Sequence, residues 1–314
     1  MSECACEVSQ GIFGRMLMEP GASPHTFDAN SERYEFMREK LVSEGRIVVP
    51  KAIWGTRSEP SERARNSVSY VSGPIEMLCS PGQFLTLAPK ILGNNESPTG
   101  TFNVAEDVPY FGVMMDRGAD VFVIKDAKVD KAIIRGRSPK MMEEGEPELL
   151  ALELRLLAKD EDNTVSWPGS APSLSVAANQ SPFVFSDATV TINGTAYEME
   201  EFVLMVDNDL EVRFVNSLTP FSICPKSRSV LFRCSIPFCP TSYASLYPIA
   251  LAGATGSLAF TNGTISSTFN FGRLQVPKKS PFIPGRTGLS LVLDGVLRSY
   301  GTTKEITLVN DSTV

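Results

Sequence analysis

The chain has 314 residues, of which 42% are hydrophobic, 21% charged and 9% aromatic, a composition that excludes wholesale disorder and a coiled coil. Its 29 Lys and Arg against 36 Asp and Glu give a net charge of −7, which disfavours a protein that grips a nucleic-acid backbone and reads its sequence. The single histidine, His25, removes most triads, dyads and metal sites, so we expect neither an enzyme nor a cofactor.

The N-terminal residues and the cysteines predict the compartment. Charged residues interrupt the first twenty positions, so we expect no signal peptide and a protein made and kept in a cytoplasm. The most apolar later run, residues 249–260, is too short and too interrupted to span a membrane. Three cysteines are interpreted as small core residues: Cys79, Cys234 and Cys239. Cys4 and Cys6 leave open a metal or redox pair, which we disfavour because no second pair accompanies them.

Elements of the first half follow one another in a clear order. Residues 1–33 are rich in Gly, Pro and Ser and predict an extended arm that becomes ordered against a neighbour. Residues 81–93 begin with proline, carry apolar residues at helical spacing and end on glycine, which predicts a short helix that Pro89 should kink or shorten. Period-two alternation predicts strands at residues 34–41, 67–78, 121–124, 128–134 and 150–157.

The second half shows the same kinds of element. Residues 161–196 form a linker whose aromatic residues should dock on a domain surface: Trp167, Phe183 and Phe185. Asn193-Gly194 and Asn262-Gly263 predict two-residue hairpin turns. Residues 240–253 again begin with proline and end on glycine and predict a second short helix. Alternation predicts strands at residues 202–206, 210–215, 230–236, 258–274 and 289–297.

The order of these elements repeats along the chain. Each half runs through strands, a short helix, further strands, a loop and a final strand with alternating leucines. We therefore interpret residues 34–160 and 197–314 as two copies of one mainly β domain, each of ordinary domain size.

Carboxylates are the strongest candidates for an enzymatic alternative. Four of them fall close together in sequence: Asp116, Asp120, Asp126 and Asp130. Lysines and an arginine interleave with them, which is more typical of solvated strand faces than of a glycosidase pair. The loop at residues 55–67 carries one glycine and mixed charges, so a phosphate-binding loop is also disfavoured.

Several short segments follow one another along the chain: Ser31-Glu-Arg-Tyr-Glu-Phe36, Gly55-Thr-Arg-Ser58, Ser61-Glu-Arg63, Val71-Ser-Gly73 and Ser80-Pro81. The series continues through residues 92–93, 111–116 and 197–213. Together these segments resemble the tail tube proteins of long-tailed bacteriophages, and the resemblance covers nearly the whole chain in motif order.

The resemblance implies a structural role and a fold. It implies a β-barrel or β-sandwich with a short flanking helix in each copy, and sheets of neighbouring subunits that join edge to edge around a lumen. Two copies per chain then predict a trimeric ring with pseudo-sixfold symmetry, and stacked rings that form a tube in the virion tail, assembled in the host cytoplasm. The implied partners are further copies of the chain and other tail proteins, namely the terminator, the tape measure and the distal tail protein, without a membrane.

Contacts between rings and the lumen complete the expectation. The loops at residues 55–67 and 216–229 should bridge rings through their basic side chains: Arg57, Arg63, Arg65, Lys226 and Arg228. A net acidic chain also permits a lumen that repels phosphates, so that genomic DNA is ejected without specific binding.

Two alternatives remain open at this point. One is a virion ring that does not polymerise, such as a tail terminator or a baseplate ring. The other is a cytoplasmic hydrolase with two β domains that uses two of the four aspartates named above.

Overall fold

The fold is mainly β and mainly antiparallel. The computed structural model describes residues 14–29, 31–49, 64–93, 100–118, 120–138, 148–171, 181–237, 246, 252–263, 265–277 and 290–311. The first strands are β1 (Arg15–Pro20), β2 (Glu32–Tyr34), β3 (Arg38–Glu39), β4 (Val42–Val48), β5 (Arg65–Leu78), β6 (Thr101–Asn103), β7 (Phe111–Asp116), β8 (Val121–Arg137), β9 (Ala151–Ala158) and β10 (Asp160–Asp162).

The remaining strands follow a short 3-10 turn at Phe185–Asp187. They are β11 (Ala188–Ile192), β12 (Thr195–Tyr197), β13 (Glu201–Asp207), β14 (Leu210–Arg213), β15 (Ser222–Pro225), β16 (Ser229–Pro237), β17 (Ala254–Asn262), β18 (Ile265–Gln275), β19 (Ser290–Arg298) and β20 (Ile306–Asp311). In the described part of the chain, no helix is long and apolar enough to cross a membrane.

Alternating residues decide the strands, as the sequence predicts. In β9, Leu152, Leu154 and Leu156 are buried in the core while Arg155 faces solvent. The period of two therefore overrides the helix propensity of leucine and glutamate. The Asn193-Gly194 turn joins β11 to β12, and both residues have the positive φ that a tight hairpin requires.

The single complete helix in the described residues is α1 (Pro81–Leu92). The Ser80 side chain caps it by accepting a hydrogen bond from the Gln83 N–H, and Gly93 ends it in the left-handed conformation. A Cβ at Gly93 would lie 2.2 Å from the Asp107 carbonyl oxygen, so glycine is required there. The prediction for residues 81–93 is confirmed, although the helix continues past Pro89 instead of being shortened. The second predicted helix, residues 240–253, lies outside the described residues except at 246, 252 and 253.

The same strand order occurs twice. In the first half, antiparallel pairing runs β4-β5-β9-β8-β7. In the second half it runs β13-β16-β19-β18-β17. The two orders correspond strand for strand, and α1 follows β5 at the place where the second predicted helix follows β16.

One sheet and one core join the two halves. β8 pairs with β13 from Lys131 opposite Asp207 to Arg137 opposite Glu201, so eighteen strands belong to one hydrogen-bonded network. The mainly β fold is confirmed; of the β-barrel or β-sandwich that the resemblance implies for each copy, the barrel is not confirmed, because the described strands close no barrel within the chain.

Aromatic rings at the centre of the core come from both halves and the linker. The Phe84 ring of α1 lies 6.3 Å from Phe183, 6.1 Å from Phe260 and 5.5 Å from Phe269, measured between centroids. The linker aromatics are docked as predicted, because Phe183 and Phe185 are buried. Trp167 packs over the Arg15 guanidinium at 4.4 Å and covers a small second cluster.

Two expectations for the first half need correction. Residues 15–20 are not an arm ordered against a neighbour, because β1 pairs with β2 and β7 of its own chain. Met16 and Met18 face the main core and Leu17 faces the cluster under Trp167, so both sides of β1 are covered. The segments predicted at 121–124 and 128–134 form the single strand β8, which bends where Asp126 has a φ of +51°.

Candidate assembly surfaces

An unpaired strand edge with exposed apolar side chains borders the sheet. We call β3 and β4 the open edge, because both pair with β5 on one side and with no other strand in the described residues. Val42 is 58% exposed and Ile47 is 70% exposed, and Met37 and Val48 beside them are also exposed. An unpaired sheet edge beside exposed apolar side chains is typical of an interaction surface.

The corresponding strand in the second half is covered. β13 pairs with β16 on one side, as β4 pairs with β5, but its other side pairs with β8 of the first half. On the core side of this junction, Phe202 and Leu204 are buried. The pairing of β13 with β8 is therefore a contact, within one chain, of the kind that the open edge lacks.

Charge pairs flank this junction on its solvent side. The Lys131 ammonium lies 2.7 Å from the Asp207 carboxylate at one end. At the other end Arg137 lies directly opposite Glu201 in register. Cross-strand pairs of opposite charge stabilise one register over its neighbours.

A buried asparagine fixes the end of the junction. The Asn208 side chain donates hydrogen bonds to the carbonyl oxygens of Ile91 and Val129 at 3.1 and 2.9 Å. Its oxygen accepts a bond from the Arg228 guanidinium at 3.1 Å. The junction is thereby tied to α1, to β8 and to the segment before β16, with each polar atom of the amide satisfied.

Two hairpins of the chain lie next to each other. One is formed by β4 and β5, and its connecting loop lies outside the described residues from 50 to 63. The other is the β14–β15 hairpin. The Ser69 N–H of the first donates to the Leu218 carbonyl of the second at 2.8 Å. Three apolar side chains on the β14–β15 hairpin are exposed, and we call them the hairpin tip: Val215, Leu218 and Phe221.

The predicted basic contact residues divide into three groups. Arg57 and Arg63 lie outside the described residues, and Arg65 is exposed at the start of β5. Lys226 is about half exposed, 3.9 Å from the Glu211 carboxylate. Arg228 points inward, where it donates to Asn208 and to the Ala105 carbonyl, and burial lowers the pKa of its guanidinium.

The sequence predicts ring contacts for the loop at residues 216–229 through its basic side chains, but does not indicate the apolar side chains of the hairpin tip. Its three large apolar residues occur in a Ser- and Pro-rich segment without alternation, and Phe221 is 69% exposed. The signal in the sequence is the presence of large apolar residues in a segment without the alternation of a strand that faces the core. Such residues are typical of an exposed interaction surface.

A continuous solvent face crosses both halves of the sheet. We define the open face as the outward side chains of β5, β9, the second half of β8, β13, β16 and β19, opposite the core. Its basic residues are Lys131, Arg135, Arg137, Arg155, Arg233 and Arg298, and its acidic residues are Glu76, Glu153, Glu201, Asp207 and Asp294. Six cations against five carboxylates give this face a charge of +1, so the acidic excess of the chain lies elsewhere.

The four aspartates of the enzymatic alternative have separate structural roles. Asp116 forms an ion pair with Arg15. Asp130 accepts the Leu210 N–H at 2.8 Å, and burial raises the pKa of its carboxyl. Asp126 accepts the Ser23 N–H at 2.7 Å. Asp120 accepts the Arg117 N–H through its backbone oxygen in the β7–β8 turn. Within the described residues, no group of three His, Cys, Asp or Glu side chains could hold a metal ion.

Comparison with known proteins bears on these surfaces. Residues 48–296 match the family model described as phage tail tube protein. No curated protein matches the chain. The matched range begins at the end of the open edge and includes the β8–β13 junction, the β14–β15 hairpin and nearly all of the open face.

Proposed function

Because the chain belongs to the phage tail tube protein family and has a structural role in the tail, we propose that three chains close into a ring of six β domains. The domains are residues 34–160 and 197–314, joined by the linker 161–196. The observation that carries the proposal is the strand order that occurs twice, with β13 covered by β8 and the open edge uncovered.

Ring closure follows from repeating the internal junction. In the internal junction, β8 is the strand that pairs with β13. If the second half of one chain supplies an equivalent strand to the next chain, that strand pairs with the open edge of the next chain and covers it. Because β18 is the counterpart of β8 in the repeated strand order, we assign this contact to the end of β18. A head-to-tail contact closes a ring when the rotation that relates neighbouring chains divides a full turn evenly. Three chains with two domains each then give a ring with pseudo-sixfold symmetry.

The open face is the proposed lumen wall. It is continuous across the β8–β13 junction, and α1 and the aromatic core cover the other side of the sheet. Genomic DNA would pass along this face during ejection. The charge of this face is +1, which supports a nearly neutral lumen wall. The net charge of the whole chain had suggested an acidic lumen.

Stacking of rings would use the β4–β5 and β14–β15 hairpins. The exposed hairpin tip supplies apolar area, and Arg65 and Lys226 lie on the same two hairpins. The other partners remain those of a tail: a terminator, a tape measure protein and a distal tail protein, within the virion tail after assembly in the host cytoplasm.

Electron microscopy of the purified protein over a concentration series tests the proposal. We expect closed rings of three chains at low concentration and hollow tubes with a regular axial repeat at high concentration, with tail-tip complexes added as nuclei. Rings that never stack would favour a terminator or a baseplate ring. Monomers at every concentration, with and without nuclei, would contradict ring formation.

A further inference from the structure

Two arginines of the open face share one carboxylate. The Arg155 Nε donates to Glu153 at 2.8 Å, and Arg135 donates to the other oxygen of the same carboxylate. The Glu153 side chain is only 9% exposed, whereas both arginines are about half exposed. One nearly buried carboxylate therefore forms ion pairs with two guanidinium groups whose remaining surface faces solvent.

A second carboxylate extends the arrangement to a third arginine. Glu76 on β5 lies directly opposite Glu153 on β9. Its carboxylate accepts a hydrogen bond from the Arg38 guanidinium at 2.5 Å. This bond holds the pKa of the Glu76 carboxyl below its usual range, so the carboxylate stays charged near neutral pH. Two carboxylates side by side are costly unless cations surround them.

Four of these five side chains line one groove together with Arg137 and Glu201, and Arg155 reaches its lining through the bond to Glu153. The volume of the groove is about 570 Å³, and its walls come from the open edge, β5, β9, β8 and β13. Guanidinium groups bind phosphate oxygens in the same fork geometry that they use for carboxylates. Without the two carboxylates, Arg38 and Arg135 in the groove and Arg155 beside it would present unpaired guanidinium groups to a phosphate backbone.

We propose that Glu76 and Glu153 mask a phosphate-binding groove, and that this masking prevents the open face from holding DNA. The masking itself belongs to the single chain, whereas its use during DNA passage rests on the proposed lumen. The partner is the duplex backbone, recognised by charge without reference to base sequence.

Binding of a short DNA duplex by the purified protein tests the masking. Fluorescence anisotropy at about 50 mM salt should show no binding for the wild type and clear binding for the E76Q E153Q variant. Three released arginines should give a slope of about 2.7 in log affinity against log salt, so affinity should fall roughly 40-fold between about 50 and 200 mM salt. The matched single variants are E76Q and D162N, since Asp162 also pairs with a cation, Lys125 at 2.7 Å, away from the open face.

Each outcome has one meaning. Adding Arg135→Gln and Arg155→Gln to E76Q E153Q should remove most of the gained binding. If E76Q E153Q fails to fold in a thermal melt, the single variant E76Q, at a side chain more exposed than Glu153, still frees Arg38 and should bind with a slope of about 0.9. A variant that folds and binds no better than D162N overturns the masking and leaves ring formation untouched. Absence of rings in the wild type would contradict the proposed function alone.

Discussion

The covered strand β13 and the open edge differ in what lies on their solvent side. β13 is flanked by the charge pairs Lys131 with Asp207 and Arg137 with Glu201, whereas the open edge, which has the pair Arg38 with Glu76, also exposes Val42 and Ile47. A junction within one chain forms at high effective concentration, so charge pairs that set its register are sufficient. A junction between chains must also overcome the loss of their free motion, and buried apolar area supplies that free energy.

The largest effect is expected from charging the open edge. Val42→Lys with Ile47→Lys should abolish ring formation, because two ammonium groups would have to be desolvated in the contact between chains. The isolated chain should keep its stability within about 0.5 kcal/mol, since both side chains are exposed. Mass photometry should show monomers, while the matched variant V42I I47V should still form rings. Rings in the lysine variant would show that the open edge is not the contact.

A smaller loss of assembly is expected from the hairpin tip. Leu218→Lys with Phe221→Lys should leave rings intact but prevent long tubes, because the tip is proposed to touch the next ring and not the neighbouring chain. Electron microscopy measures tube length directly. The Lys226→Gln variant serves as the comparison and should shorten tubes less, since an exposed charge contributes about 0–1 kcal/mol. Normal tubes in the lysine variant would contradict the stacking role of the tip.

The two strands should also differ in their contribution to folding. Phe202 of β13 is buried, with its ring 6.1 Å from Phe185 and 5.7 Å from Phe260. Phe202→Ala should lower the free energy of unfolding by about 3–5 kcal/mol through the cavity that it leaves. Val42→Ala should change it by about 0.5 kcal/mol or less. Urea unfolding at low protein concentration measures both, and equal losses would remove the distinction between covered and open strands.

Local patterns in the sequence predict the elements but not their partners. The leucine alternation of β9, the proline and glycine around α1 and the Asn-Gly turn after β11 are local signals, and each prediction is confirmed. The sequence does not predict β1, because its few apolar residues are buried on both faces and leave no alternation. It predicts a loop at residues 216–229, where Ser222–Pro225 forms β15, because this strand is short and contains proline.

The assembly surfaces depend on pairings that no local pattern encodes. β8 and β13 meet although the linker and β9 to β12 separate them along the chain. The sequence indicates two repeated halves. The resemblance to tail tube proteins then implies that such halves join edge to edge in a ring. It could not show that Arg228 points inward, because that depends on the buried Asn208 amide and the Ala105 carbonyl.

The smallest effect concerns a titratable contact that only the first half contains. The His25 side chain is 2% exposed, and its Nε2 accepts the Asp126 N–H at 3.2 Å at the bend of β8. Burial lowers the pKa of His25 below 6.5, although the carboxylates of Asp126 and Glu19 oppose this and Lys125 adds to it. The ring also packs against Gly112, where a Cβ would lie 2.5 Å away.

The sign of the pH dependence follows from this lowered pKa. The unfolded chain binds a proton at His25 at a higher pH than the folded chain, so stability is fully present above about pH 6.5 and falls as the pH drops below it. The melting temperature of the wild type should therefore fall more between about pH 7.5 and 5.5 than that of H25Q. Equal shifts in the two proteins would show that His25 does not contribute. Trp167 packs against the same small cluster as Phe27, so its fluorescence emission should report the pH-dependent loss of stability in the first half. The V42K I47K monomer should show the same pH dependence, because the open edge plays no part in it.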